Sequence, residues 1–225
     1  EEYMARRKTT KAFAEWFSID PPYEKFGKYL PGRYVNGAIS PFAAVELAKA
    51  AFRNGYESYG WDIICRFQQM IKRDNAIYFL YSPDDGQSQG GGPSAWGAAA
   101  LLSAIDEGLA GIRDLGVGYD VMEFAPRFPA TDYTELRYFT GYEKTARFVD
   151  VRYILTDAGM RYRVLSPAKE LRAHILLPKG KGCRKTLVNG QEQTFARSRV
   201  GESQYVDFVV KPKGKADMEI LFQAL

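Results

Sequence analysis

The spacing of hydrophobic positions changes near residue 117, and that change divides the chain. Before it, "SPFAAVELAKAAFRNG" at 40–55 predicts a helix with Ser40 as N-cap, Pro41 in the first turn and Gly55 as the C-terminal stop. The next run, "YESYGWDIICRFQQMIKR", sets Tyr59, Ile63, Phe67, Met70 and Ile71 at three- and four-residue intervals, with Glu57, Asp62, Arg66 and Lys72 off that face. A third helix is predicted in "SAWGAAALLSAIDEGLAGI", with Ser94 as N-cap. Its residues are small or apolar around almost the whole circumference as far as Asp106, so it is expected to be enclosed on most sides. Enclosed helices alternating with an amphipathic one fit a double ring of helices. From Tyr119 onward short runs such as "YDVMEFAP", "ARFVDVRYIL", "LRAHILLP" and "YVDFVVKP" alternate with Gly-, Asn- and Lys-rich turns. About eight strands at this spacing predict an antiparallel β-sandwich.

Composition narrows the function classes. The chain has 225 residues, 46% of them hydrophobic, which is enough for one large or two ordinary cores. No apolar run approaches the roughly 18 residues of a membrane helix, so no membrane partner is expected. The N-terminal "EEYMARRKTTKAFAEWF" has no signal-peptide pattern and no initiating methionine, as expected of a piece trimmed from something longer, and it says nothing about localisation. The net charge of +4 is uneven: from Met160 onward there are thirteen Lys or Arg against six Asp or Glu. These cations are spread singly along alternating strands, as on a solvated sheet face, so nucleic acid is not an expected partner. There is one histidine, and His174 shares a strand face with Arg172, so it reads as a surface strand residue, which argues against histidine triads and multi-histidine metal sites. Cys65 and Cys183 have no metal-ligand spacing and read as buried or partly buried thiols. No metal or other cofactor is expected.

Between the second and third helices lies "IYFLYSPDDGQSQGGGPSAWGA" at 77–98. A glycine-crowded loop of this length inside a compact protein is unusual unless it is disordered or shaped for a site. Together with "PPYEKFGKYLPGRYVNGAISPFAAVELAKAAFRNG" before it and "LLPKGKGCRKTLVNGQ" in the β region, this stretch resembles the last hairpins and C-terminal sandwich of bacterial six-hairpin glycosidases. Those belong to the (α/α)6-barrel clan of glucoamylases, processing α-glucosidases and disaccharide phosphorylases. The most specific elements are Tyr-x-Asn-Gly at Tyr34 to Gly37, aromatic-Ser-Pro-x-x-Gly at Tyr81 to Gly86, and Trp-Gly-Ala at Trp96 to Ala98.

The resemblance implies an α+β multidomain fold: a partial (α/α)6 toroid over 1–117 followed by an antiparallel sandwich over 118–225. It implies a carbohydrate substrate, with the loops before the inner helices forming a sugar-binding crater. Gly90, Gly91 and Gly92 would let the backbone pass close to substrate or to neighbouring loops. Trp16, Tyr34, Asn36, Tyr78, Tyr81 and Trp96 are the candidate sugar contacts, because aromatic faces with polar edges suit a pyranose ring. Trp96 also reads as core, and Tyr34 and Asn36 as fixing the turn before Pro41.

Glycoside hydrolysis needs two carboxyl groups, about 6.5 to 9.5 Å apart in inverting enzymes. In glucoamylase-like relatives the base is a glutamate shortly before the aromatic-x-Pro-x-x-Gly turn, and the register puts Phe79 there. The candidates that remain for one carboxylate are Glu24, Asp84 and Asp85, while the general acid would come from an earlier hairpin outside this chain. Asp-Asp-Gly is also ordinary turn sequence, and Glu46 lies within a helix and reads as structural. Twelve helices with their connections need roughly 300 residues. The remainder of the barrel is therefore expected in a longer chain or a second chain. A non-catalytic carbohydrate-binding or scaffolding protein of the same architecture, or a disaccharide phosphorylase, is the alternative.

Overall fold

The computed structural model describes residues 21–224. Among these residues three helices come first: α1 (Pro41–Arg53), α2 (Glu57–Asp74) and α3 (Ala95–Ser103), the last running into a π-helical turn, Ala104–Leu109. Helix α1 stops where the sequence predicts, with the Tyr56 amide reaching back to the Ala51 carbonyl at 3.0 Å around Gly55. Ser94 caps α3, its hydroxyl accepting from the Gly97 amide. The apolar stripe of α2 is buried at Tyr59, Ile63, Phe67 and Met70, with Ile64 beside them.

Eleven strands follow: β1 (Ile112–Asp114), β2 (Val121–Phe124), β3 (Glu135–Gly141), β4 (Phe148–Leu155), β5 (Gly159–Leu165), β6 (Glu170–Leu176), β7 (Lys181–Val188), β8 (Gln191–Gln193), β9 (Ala196–Val200), β10 (Ser203–Val210) and β11 (Lys215–Ala224). They form a five-stranded sheet in the order β1-β2-β6-β10-β9 and a six-stranded sheet in the order β3-β4-β5-β11-β7-β8. Alternating side chains, among them Met122, Phe124, Leu171, Ala173, Ile175 and Val206 of the first sheet and Val149, Val151, Tyr153, Tyr162, Val164, Met218 and Ile220 of the second, are buried. Phe124 meets Tyr162 edge-on at 5.5 Å across the two sheets, as in a sandwich.

The chain is thus α+β, with one departure from a purely antiparallel sandwich: β2 and β6 run parallel. Between them the chain leaves to build β3, β4 and β5 in the other sheet, and so long a connection allows a parallel return. Cys183 is buried and Cys65 half-buried. His174 sits on the outer side of β6, its Nδ1 2.5 Å from Asp207 on β10.

The chain divides into two compact units, one running to Ala50 and from Asp62 to Ala104, the other from Ala51 to Trp61 and from Ile105 onward. Two expectations are corrected here. Glu57, set off the apolar face by its spacing and so not expected in the interior, is only 5% exposed. It accepts hydrogen bonds from the Tyr205 hydroxyl and, at 2.6 Å, from Ser203, and its charge attracts the buried Arg127 guanidinium. Helix α3 is not enclosed on most sides either: only Gly97 and Leu101 are buried, while Trp96 is 68% and Leu102 59% exposed. No element among the described residues covers that side.

Candidate functional site

Two loops of the first unit build the site. The earlier one, from Pro21 to Ser40, folds back on itself through paired bonds between Phe26 and Tyr29, both 2.9 Å, and through Gly32 to Asn36 at 2.7 Å. Asn36 ties it together: its carboxamide oxygen accepts from the Tyr23 amide, and its nitrogen donates to the carbonyls of Tyr23 and Tyr29. The later loop is a narrow ladder. Its successive rungs join Ile77 to Ser94, Phe79 to Gly91, Leu80 to Gln89 and Ser82 to Gln87. A side chain on Gly91 or Gly92 would collide with Phe79 or Tyr78, a Cβ falling 2.9 and 2.6 Å from them. The glycines thus allow close packing of this loop against itself.

The loops are joined twice. Ile39 and Tyr81 exchange backbone hydrogen bonds at 2.9 and 3.0 Å. Gln89 accepts from the Tyr34 amide and donates to the Gly32 carbonyl at 2.6 Å. Arg73 of α2, held by both oxygens of Asp74, donates to the Gly86 carbonyl at 2.7 Å. Between the loops lies a groove of about 680 Å³ lined on one side by Lys28, Tyr29, Arg33 and Tyr34 and on the other by Ser82, Asp84, Asp85 and Gln87 to Gln89. An aromatic strip leaves the groove: Tyr29 packs on Tyr34 with ring centres 4.7 Å apart, Tyr34 on Phe79 at 6.5 Å, and Phe79 on Trp96 at 6.2 Å. Phe42 backs the strip edge-on, 5.6 Å from Trp96.

The structure gathers Tyr34, Asp84 and Asp85 at one groove and connects Trp96 to it through Phe79. Glu24 is exposed on the earlier loop but does not line the groove. Tyr81 and Asn36 are fully buried and spent on the scaffold, the Tyr81 hydroxyl accepting from the Tyr78 amide at 2.7 Å. Tyr78 is half-buried, its ring edge-on to Tyr81. Trp16 lies outside the described residues. Glu46 pairs with Lys49 at 3.5 Å on α1. The Gln87 amide, helped by the Ser82 hydroxyl, holds the Asp85 carboxyl below the usual aspartate range, so it is an ionised hydrogen-bond acceptor at neutral pH. Among the described residues no cluster of His, Cys, Asp and Glu could hold a metal ion.

Sequence reasoning missed Lys28, Tyr29, Arg33, Gln87 and Gln89 as lining residues, and it noted Phe79 only for not being a carboxylate. The glutamines lie in "GQSQGGG", whose composition signals a loop but not the pairing of Gln89 with Gly32, 57 residues away.

No protein-family model matches the sequence, and no curated protein is significantly similar to it. Among solved structures the chain is similar to an alpha-L-rhamnosidase from Dictyoglumus thermophilum, with 14% identity and a TM-score of 0.56 over 81% of this chain and 21% of that one. It also matches a GH127 beta-L-arabinofuranosidase from Geobacillus Stearothermophilus T6 (11% identity, TM-score 0.38, 95% of this chain and 36% of that one). A third match is a Streptomyces avermitilis alpha-L-rhamnosidase complexed with L-rhamnose (12% identity, TM-score 0.40, 96% and 23%). The first likeness extends to the fold, and this chain spans about a fifth of that protein's length.

Proposed function

We propose that this chain is the C-terminal part of a glycoside hydrolase acting on oligo- or polysaccharide. Its first 117 residues would be the last hairpins of an (α/α)6 barrel and residues 118–225 the accompanying sandwich. The observation that carries the reading is one groove where hydroxyl, amide and charged groups adjoin a strip of accessible aromatic rings, the combination that fixes sugar hydroxyls while covering a ring face. The likeness to a solved glycosidase fold supports it, as do the uncovered apolar residues of α3, which suit further hairpins in a longer chain or a partner chain.

In this reading Tyr34 and Trp96 contact sugar rings, Asp85 accepts from a sugar hydroxyl, and the carboxylate that takes a proton from the attacking water is Asp84 or, from beyond the groove lining, Glu24. The carboxylic acid that protonates the leaving oxygen belongs to hairpins outside this chain. The test is hydrolysis of a panel of chromogenic aryl glycosides by the full-length gene product. Asp84→Asn or Glu24→Gln is expected to lower turnover by at least about a hundredfold while leaving the unfolding midpoint in place. Undiminished turnover in both variants and in Asp85→Asn overturns the assignment. Phe79 in the aromatic strip, at the position where the resemblance expects the base, favours a second reading, a non-catalytic saccharide-binding protein. That reading predicts no turnover, together with binding that Tyr34→Ala and Trp96→Ala weaken.

A further inference from the structure

We propose that the saccharide taken by this groove carries an anionic group, a uronate carboxylate or a sulfate ester, received by Lys28 and Arg33. The inference rests on the reading that the groove binds a saccharide and adds the substrate class. Both cations line the groove and both are exposed. Among the described residues neither forms an ion pair: Lys28 reaches over the Tyr29 ring, 5.4 Å from its centre, and Arg33 is attracted by Asp85 without contact. Two carboxylates, Asp84 and Asp85, line the same groove. One Asp85 oxygen is engaged within its own loop, accepting the Gln87 amide at 2.9 Å.

Arg33 is also well placed to discriminate. Its backbone is fixed at both ends, the amide donating to the Leu30 carbonyl at 3.1 Å and the carbonyl accepting from Asn36 at 3.0 Å. The guanidinium fork therefore leaves a rigid turn, and such a fork matches the paired oxygens of a carboxylate or sulfate. A sugar ring lying against Tyr34 has Lys28 and Arg33 within the same lining, with Ser88 and Gln87 left for its hydroxyls. A neutral sugar would leave both cations beside the ligand without a contacting carboxylate among the described residues, since neither Asp84 nor Asp85, which also line the groove, forms an ion pair with them.

The experiment is calorimetric titration of the full-length protein with four probes: a galactose oligomer, the galacturonate oligomer of equal length, a sulfated galactose oligomer and inorganic phosphate. The expected result is that an anionic oligomer binds about fivefold or more tightly than the neutral one. This advantage should shrink at about 0.5 M salt, where exposed charges are screened. The double variant Lys28→Gln, Arg33→Gln should bring the ratio close to one, whereas Lys25→Gln, in the same loop but outside the groove, should leave the ratio as it is. Comparing the uronate and sulfated arms identifies the group. Neutral and anionic oligomers binding alike overturns the inference and leaves the saccharide reading standing. No oligomer binding at all overturns both. Phosphate binding alone, without preference for an anionic sugar, overturns the inference in favour of a free phosphate site.

Discussion

Replacing Asn36 by alanine removes three hydrogen bonds at once: the one accepted from the Tyr23 amide at 2.8 Å and those donated to the Tyr23 and Tyr29 carbonyls at 2.9 and 3.1 Å. Asn36 is fully buried, but its partners are half-open, so water recovers part of the loss. At about 1 kcal/mol net for each bond, the turn holding Lys28 and Tyr29 should be destabilised by about 2 to 3 kcal/mol. That corresponds to roughly 30- to 150-fold more frequent local opening. Asn36→Asp should act in the same direction, because it keeps the acceptor for Tyr23 but turns a carboxylate toward two carbonyls. Hydrogen exchange reads the effect directly. The Tyr23 amide should exchange faster by about that factor, while the Ile39 and Tyr81 amides, bonded to each other's residues, should stay near the wild-type rate. Saccharide affinity should fall as well, because Tyr29 and Lys28 line the groove. If Tyr23 exchanges unchanged, Asn36 does not organise the loop; if all three amides accelerate equally, the effect is global and the local account is wrong.

Four further outcomes follow from the sandwich unit. A Cβ at Gly111, where φ is +62°, would stand 1.8 Å from the Ala125 carbonyl oxygen, so Gly111→Ala should cost more than about 3 kcal/mol in denaturant unfolding. Gly180→Ala, at φ +77° with nothing within 4 Å, should cost only about 1 kcal/mol. Glu57→Ala leaves buried Arg127 with Glu123 but without one of its two nearby carboxylates, and the Tyr205 and Ser203 hydroxyls without their acceptor; a loss of about 3 kcal/mol is expected, and a neutral outcome would refute the network's role. Arg137 donates to both oxygens of Asp150, at 2.8 and 2.6 Å, and holds that carboxyl below its ordinary 3.8. The unfolded chain therefore takes up the proton first, so this stabilisation is complete above about pH 5 and fades as pH falls through and below the ordinary value. Asp150→Asn should flatten the acid limb of the melting curve, and an unaltered limb would contradict the pairing.

The strand pattern was legible wherever strands alternate apolar and polar residues, because the buried face writes itself into the sequence at period two. It failed for β9, "ARSRV", an edge strand with no fully buried residue, and for the three-residue β1 and β8. The parallel pairing of β2 with β6 depends on where the chain goes in between and has no local signature. The helix ends were legible through Ser94 and Gly55. Glu57 was misplaced because a carboxylate next to a helix N-terminus ordinarily faces water, and its two hydroxyl donors lie 146 and 148 residues away. Asp84, Asp85 and Tyr34, singled out by motif order, line one groove. The buried Tyr81 and Asn36 were not separable from ligand contacts, since an Asn-Gly turn signal and a sugar-contacting amide use the same residue type.

In the proposed function, saccharide is held where the groove meets the aromatic strip. Its most direct test is a fluorescence titration of the full-length protein with oligosaccharides, because Trp96 is 68% exposed and stands at the end of that strip. The account predicts a saturable change that disappears in Trp96→Phe and shifts to several-fold weaker affinity in Tyr34→Ala, in line with about 1 kcal/mol for one aromatic contact. A saturable change that survives both substitutions intact, or none with any saccharide at millimolar concentration, would contradict it.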